Sequence, residues 1–108
     1  MSNFTDREKA FEGKYKLDQE RAFKANVRRC KLVGLWAAEK MGITGEAAEA
    51  YAKEVVASDF AKPGQDDVVE KLLADLTAKG VGISEHLIRV EMERSYEIAV
   101  KQIAEEEA

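Results

Sequence analysis

The sequence has one cysteine, one histidine and one proline, and each scarcity removes a class of function. A single thiol excludes an intramolecular disulfide framework and a multi-cysteine zinc site. A single imidazole leaves no second histidine for a His-rich metal centre, and it excludes a di-iron bundle, which takes Glu-x-x-His from each of two helices. One proline and seven glycines in 108 residues are too few for a collagen-like chain or a flexible linker. No apolar run approaches the roughly 20 residues that cross a bilayer. The opening MSNFTDREKAFEGK is polar and interrupted by acids, unlike a secretory signal. Phosphate loops are missing as well: Gly80-Val81-Gly82 is a lone G-x-G, with neither a G-x-x-x-x-G-K-[ST] nor a G-x-G-x-x-G motif anywhere. These absences leave a soluble, cytoplasmic, single-domain chain. Its 45% apolar content is enough for a core.

What is present is helix. Breaks fall at Gly42–Gly45, at Lys62-Pro63-Gly64 and at Gly80–Gly82, and no segment between them alternates like a strand. Thr5-Asp6-Arg7-Glu8 matches a capping box, so the first helix is expected from Thr5 to Met41. From Phe23 its apolar or small residues recur at Val27, Cys30, Gly34, Ala37 and Met41, a core-facing stripe widened by Leu32, Leu35 and Trp36. Before Phe23 the pattern thins to Phe4, Phe11 and Tyr15, with Gly13 among them. A Gly inside a helix costs about 1 kcal/mol relative to Ala, and an isolated helix of about 18 residues is marginal in water. Residues 1–18 are therefore expected to be frayed or disordered in the free protein, with residues 19–108 forming the bundle.

The second helix is expected from Thr44 to Ala61, with Ala48, Tyr51, Ala52, Val55, Val56 and Phe60 on its apolar face. The third runs from Asp66 to Lys79, stopped by Gly80, and turns Val68, Val69, Leu72, Leu73 and Leu76 inward. Ser84 caps the fourth, whose stripe is Ile88, Met92, Ser95, Ala99 and Ile103, flanked by Leu87, Tyr96 and Val100. Short connections favour antiparallel neighbours, and the fold class is an all-α four-helix bundle.

Charge is uneven. Residues 1–31 hold nine Lys/Arg against five Asp/Glu, a net of +4, whereas residues 32–108 hold eight against sixteen, a net of −8. A basic arm on an acidic body either reaches for an acidic partner or folds back on itself. Arg28-Arg29-Cys30-Lys31 reads as a solvated flank that pairs with the acidic second helix. A nucleic-acid binder would carry a far more basic domain than a pI of 5.1 allows. Cys30, on the apolar stripe, reads as a buried small hydrophobe. His86 has neither an orienting partner nor a nucleophile beside it in sequence, so it reads as a surface residue. No catalytic residue, metal ligand or cofactor emerges, and the chain is not expected to be an enzyme.

Several stretches taken together resemble a known family. They are Arg7-Glu8 with Phe11-Glu12-x-Lys14; Phe23-Lys24; Arg28-Arg29-x-Lys31-Leu32-x-Gly34-Leu35-Trp36-Ala37-Ala38; Tyr51-Ala52-Lys53-Glu54-Val55-Val56-x-x-Asp59-Phe60; and Gly80-Val81-x-Ile83-Ser84-x-His86-x-Ile88-Arg89. The pattern resembles the alphaproteobacterial zeta subunit, the ATPase inhibitor family of the bacterial rotary ATP synthase, over nearly the whole chain. The resemblance implies a four-helix bundle with a mobile N-terminal inhibitory segment. That segment would enter an interface between catalytic subunits of the F1 sector and block ATP hydrolysis. By position it is Ser2–Leu17, where Phe4, Arg7, Glu8, Phe11, Glu12 and Lys14 match, with Tyr15 as a further partner-binding residue. Gly13 departs from the pattern and implies weak or incomplete inhibition. The implied partners are the F1 catalytic subunits and rotor, met by a free monomer that reaches the inner membrane only through the synthase.

The residues themselves agree with such a role. Phe4 and Phe11, seven apart, share one helical face and suit a groove. A segment that folds on binding threads into sites a rigid domain cannot reach. Two other readings stay open on sequence. One is a helical sensor of adenine nucleotides, using helix termini and basic side chains that cannot be placed. The other is a plain helical interaction module, in which Phe4, Phe11 and Tyr15 zip against a second copy.

Overall fold

The computed structural model describes the backbone of residues 2–61 and 65–107 and the side chains of residues 19–60 and 65–107. Four helices account for the described elements: α1 (Ser2–Lys40), α2 (Gly45–Ala61), α3 (Gln65–Ala78) and α4 (Glu85–Glu107). The all-α bundle is as expected. Helix α1 starts at Ser2, three residues before the expected Thr5. The expectation of a frayed or disordered segment falls on residues 1–18, whose side chains lie outside the described residues.

Two helices end in the same way. Gly42 and Gly80 take φ of 75° and 77°, a backbone state that side-chain-bearing residues rarely adopt. At the end of α1, Ile43 N–H donates to Ala38 O at 2.8 Å and Gly42 N–H to Glu39 O at 3.1 Å. At the end of α3, Val81 N–H donates to Leu76 O and Gly80 N–H to Thr77 O, both at 2.9 Å. These are Schellman caps, and they fold Ile43 and Val81 back against the core. Ser84 caps α4 as expected, its Oγ accepting from Leu87 N–H at 3.2 Å.

Helix α1 is the central stave and packs on both α2 and α4, with α3 closing the remaining side. The main core gathers Cys30, Val33, Ala37 and Ala38 from α1, Tyr51 and Val55 from α2, Val68, Val69, Leu72 and Leu76 from α3, and Ile88 and Met92 from α4. A second cluster seals α1 to α4 through Ala25, Ala99 and Ile103. Burying each large aliphatic side chain contributes about 1.5–3 kcal/mol relative to exposure. The α4 stripe is buried at all five expected positions.

Three expectations need correction. Phe23 is 57% exposed and Val27 only half-buried, because α2 runs antiparallel to α1 and ends opposite Phe23. Phe60 is 56% exposed, since it lies five residues past Val55 and so about 140° round the helix from the buried line. Leu87 and Val100, expected beside the α4 stripe, are 54% and 46% exposed, because each lies about 100° or more round the helix from the middle of the buried line, on opposite flanks of it. Among the described residues, no helix is long and apolar enough to cross a membrane.

Candidate regulatory surface

The expected partner-binding residues Phe4, Arg7, Glu8, Phe11, Glu12, Lys14 and Tyr15 all fall on the backbone of α1, and their side chains lie outside the described residues. What the structure brings together is the root of that segment. Arg21 Nε donates to Glu107 Oε2 at 2.7 Å, and Lys24 lies 3.7 Å from the same carboxylate. Arg28 grips Glu106 with both guanidinium nitrogens, at 2.5 and 3.1 Å. The C-terminal end of a helix presents unpaired carbonyls and a partial negative charge, here reinforced by acids. Two α1 arginines therefore clamp the end of α4, with Lys24 standing more loosely beside them. The hydrogen bond from Arg28 holds the Glu106 carboxyl below its ordinary range, and the Arg28 guanidinium is raised in return. The part of the basic arm from Arg21 to Arg28 thus folds back on its own body.

Beyond the clamp, α1 has no α4 beside it. Residues 2–20 continue as helix past the level of Glu107, which at 1.5 Å per residue is about 28 Å of further length. The longest dimension of the molecule, 66 Å, follows from this overhang.

Arg29 corrects the expectation of a uniformly solvated flank. It is 8% exposed, donates from Nη2 to Asn26 Oδ1, and sits 5.1 Å from the centre of the Tyr96 ring. Asn26 in turn donates from Nδ2 to Asp59 Oδ2 at 2.6 Å, linking α1 to α2. Arg29 Nε is buried without a hydrogen-bond partner among the described residues. The Ala25–Arg29–Val33 spacing of four residues is the sequence signal that places Arg29 on the buried line. Lys31 meets the expectation of pairing with the second helix, 4.0 Å from Glu49.

Burial pushes the Cys30 thiol up to about 11, with Asp59 adding to the shift and Arg29 opposing it. A thiol so held is protonated and unreactive near neutrality. On the far side of α2, Tyr51 donates its hydroxyl to Asp75 Oδ2 at 2.7 Å, and Lys71 Nζ reaches the same oxygen at 3.1 Å. Burial, then that hydrogen bond, raise the phenol. His86 is exposed in the first turn of α4. Among the described residues, no group of three or more His, Cys, Asp or Glu could hold a metal ion. What the arrangement offers is a charged, clamped helix with an overhanging end, suited to contact between proteins.

Comparison with known proteins agrees in fold and gives the family. A protein solved by solution NMR superposes with a TM-score of 0.69 at 44% identity, covering 78% of this chain and 95% of that one. No curated protein sequence matches. The profile of the family described as ATPase inhibitor subunit zeta matches residues 1–102, which spans the overhang, the three α1 cations and all of the bundle but the end of α4, and the chain therefore belongs to the ATPase inhibitor subunit zeta family.

Proposed function

We propose that this inhibitor acts on the F1 sector of bacterial ATP synthase, with residues 2–17 entering an interface between catalytic subunits and blocking ATP hydrolysis. The observation that carries the reading is the family match over residues 1–102, which takes in both segment and body. The overhang of α1 supports it: about 28 Å of helix can enter a cleft while the bundle stays outside. A wedge between moving subunits acts by sterics and needs no nucleophile, base or cofactor. Phe4, Arg7, Phe11 and Lys14 are its anchors, with Glu8, Glu12 and Tyr15 beside them, and residues 19–108 are the body that orients them. The partners are catalytic subunits and rotor, so the protein acts peripherally to the membrane that holds the synthase.

The test is ATP hydrolysis by alphaproteobacterial F1 with and without the protein. Deleting residues 2–17 is expected to abolish inhibition, and Phe11→Ala to weaken it by about tenfold, the effect of truncating one aromatic anchor. Full inhibition by the deleted protein would move the function to the bundle.

One observation favours a second reading, the adenine-nucleotide sensor. The unpartnered Arg29 Nε belongs to a side chain that lines a groove of about 530 Å³ between α1 and α4, together with Tyr96. Glu93 and Glu97 line the same groove and oppose a polyphosphate. Amide NMR shifts at Asn26, Arg29 and Tyr96 on adding ATP would support this reading, and unchanged spectra at millimolar nucleotide would remove it.

A further inference from the structure

We propose that the paired rings of Phe23 and Phe60, with the cations around them, are the docking face of the body. Its occupant is an apolar ledge bordered by carboxylates, on the ATPase subunit surface beside the cleft that the N-terminal segment enters. The proposal rests on the inhibitor reading above and deepens it.

The two rings come from different helices, with centroids 5.8 Å apart and planes tilted by 49°. They hold each other in place, yet each is more than half exposed. Paired aromatics fixed by two helices form a preordered ridge that loses little freedom on binding, and aromatics of this kind are enriched at protein interfaces. A groove of about 340 Å³ is lined by Phe23, and a second of about 190 Å³ continues from it, sharing Lys31 and Val56. Around them Lys24, Arg28, Lys31 and Lys53 face Glu106, Glu49 and, beside Lys24, Glu107, an excess of one positive charge on a chain whose net charge is −4. The lysines are loosely held. Lys24 stands 3.7 Å from Glu107 and Lys31 stands 4.0 Å from Glu49, and their side chains remain 60% and 56% exposed. Such a rim favours a partner bordered by carboxylates.

Position selects the partner. Phe23 follows Leu17 by six residues, about 9 Å along a continuous α1. A segment inserted as far as Leu17 brings Phe23 against the mouth of the cleft.

The experiment measures binding to, and inhibition of, alphaproteobacterial F1 by the full-length protein and two variants, Phe23→Ala/Phe60→Ala and Lys24→Glu/Lys31→Glu. Both variants change exposed positions, and circular dichroism checks their folding. The aromatic variant is expected to bind at least tenfold more weakly while reaching parental inhibition at saturation, because the wedge itself is intact. The charge variant is expected to bind more weakly at low salt and to lose the parent's salt dependence. If the parent inhibits and both variants keep affinities within twofold of it, the docking face is overturned and the inhibitor reading stands. If the parent neither binds nor inhibits, both fall together. A concentration-dependent dimer of the parent that the aromatic variant dissociates would assign the face to a second copy and overturn the proposal.

Discussion

Gly34 sits where α1 and α2 meet backbone to backbone. A Cβ built there would lie 2.9 Å from Ala52 Cα, 3.2 Å from Val55 Cγ2 and 3.3 Å from Ala52 Cβ. A main-chain atom cannot turn aside as a flexible side chain can, so the helices would have to separate. Replacing Gly by Ala inside a helix gains about 1 kcal/mol of propensity, while overpacking a core costs about 1–3 kcal/mol. Gly34→Ala is therefore expected to lower the thermal midpoint by several degrees, and an unchanged or raised midpoint would mean that the seam is looser than described. Four residues away, Cys30 tests the same seam chemically. Its thiol is fully buried and raised to about 11. At pH 8 a thiol reagent is expected to label it only after guanidinium is added, and prompt labelling of the native protein would reveal opening between α1 and α2. The stripe of small residues containing both positions was legible in the sequence. The burial of Arg29 was only half legible: the Ala25–Arg29–Val33 spacing points to it and Asn26 lies one turn away on α1, but the Tyr96 ring that covers it is brought there by the packing of α4.

At the scale of elements, the joint between α1 and α4 is held by charge as well as by apolar contact. Arg28 holds the Glu106 carboxyl below its ordinary value of 4.5. A depressed carboxyl contributes its stabilisation above that ordinary value and loses it as pH falls through the lowered native one. NMR titration of the Glu106 carboxyl carbon is expected to give a midpoint below 4.5, returning toward it in Arg28→Gln. Identical midpoints in the two proteins would show that the clamp is not formed in solution. Helix identities and stops were legible because glycine and the Ser84 cap act locally, within a turn of the chain. The exposure of Phe23 and Phe60 was not. Periodicity finds an apolar face, but it does not report where the neighbouring helix ends.

For the molecule as a whole, buried side chains begin at Ala25 and end at Ile103 among the described residues. Residues 2–17 belong to the stretch of α1 beyond the Arg21–Glu107 contact, where α4 has ended, so deleting them should shift the thermal midpoint by less than about 4 °C, the change produced by about 1 kcal/mol in a domain of this size. A larger loss would mean that the segment packs on the bundle and is not free to act as a separate wedge. Fold class, helix count and the α4 stripe were determined by sequence alone, because they rest on residue spacing and local cap chemistry, and the family was legible there as a resemblance that the match over residues 1–102 bears out. Tertiary structure alone decided which cations of the basic arm turn back onto α4, where the body ends and the overhang begins, and that Phe23 and Phe60, among the described residues, remain in solvent. Each of these depends on the register between antiparallel helices, which is set by the close approach of backbones at Gly34 and Ala52 and by the reach of Arg21, Lys24 and Arg28 to the last turn of α4.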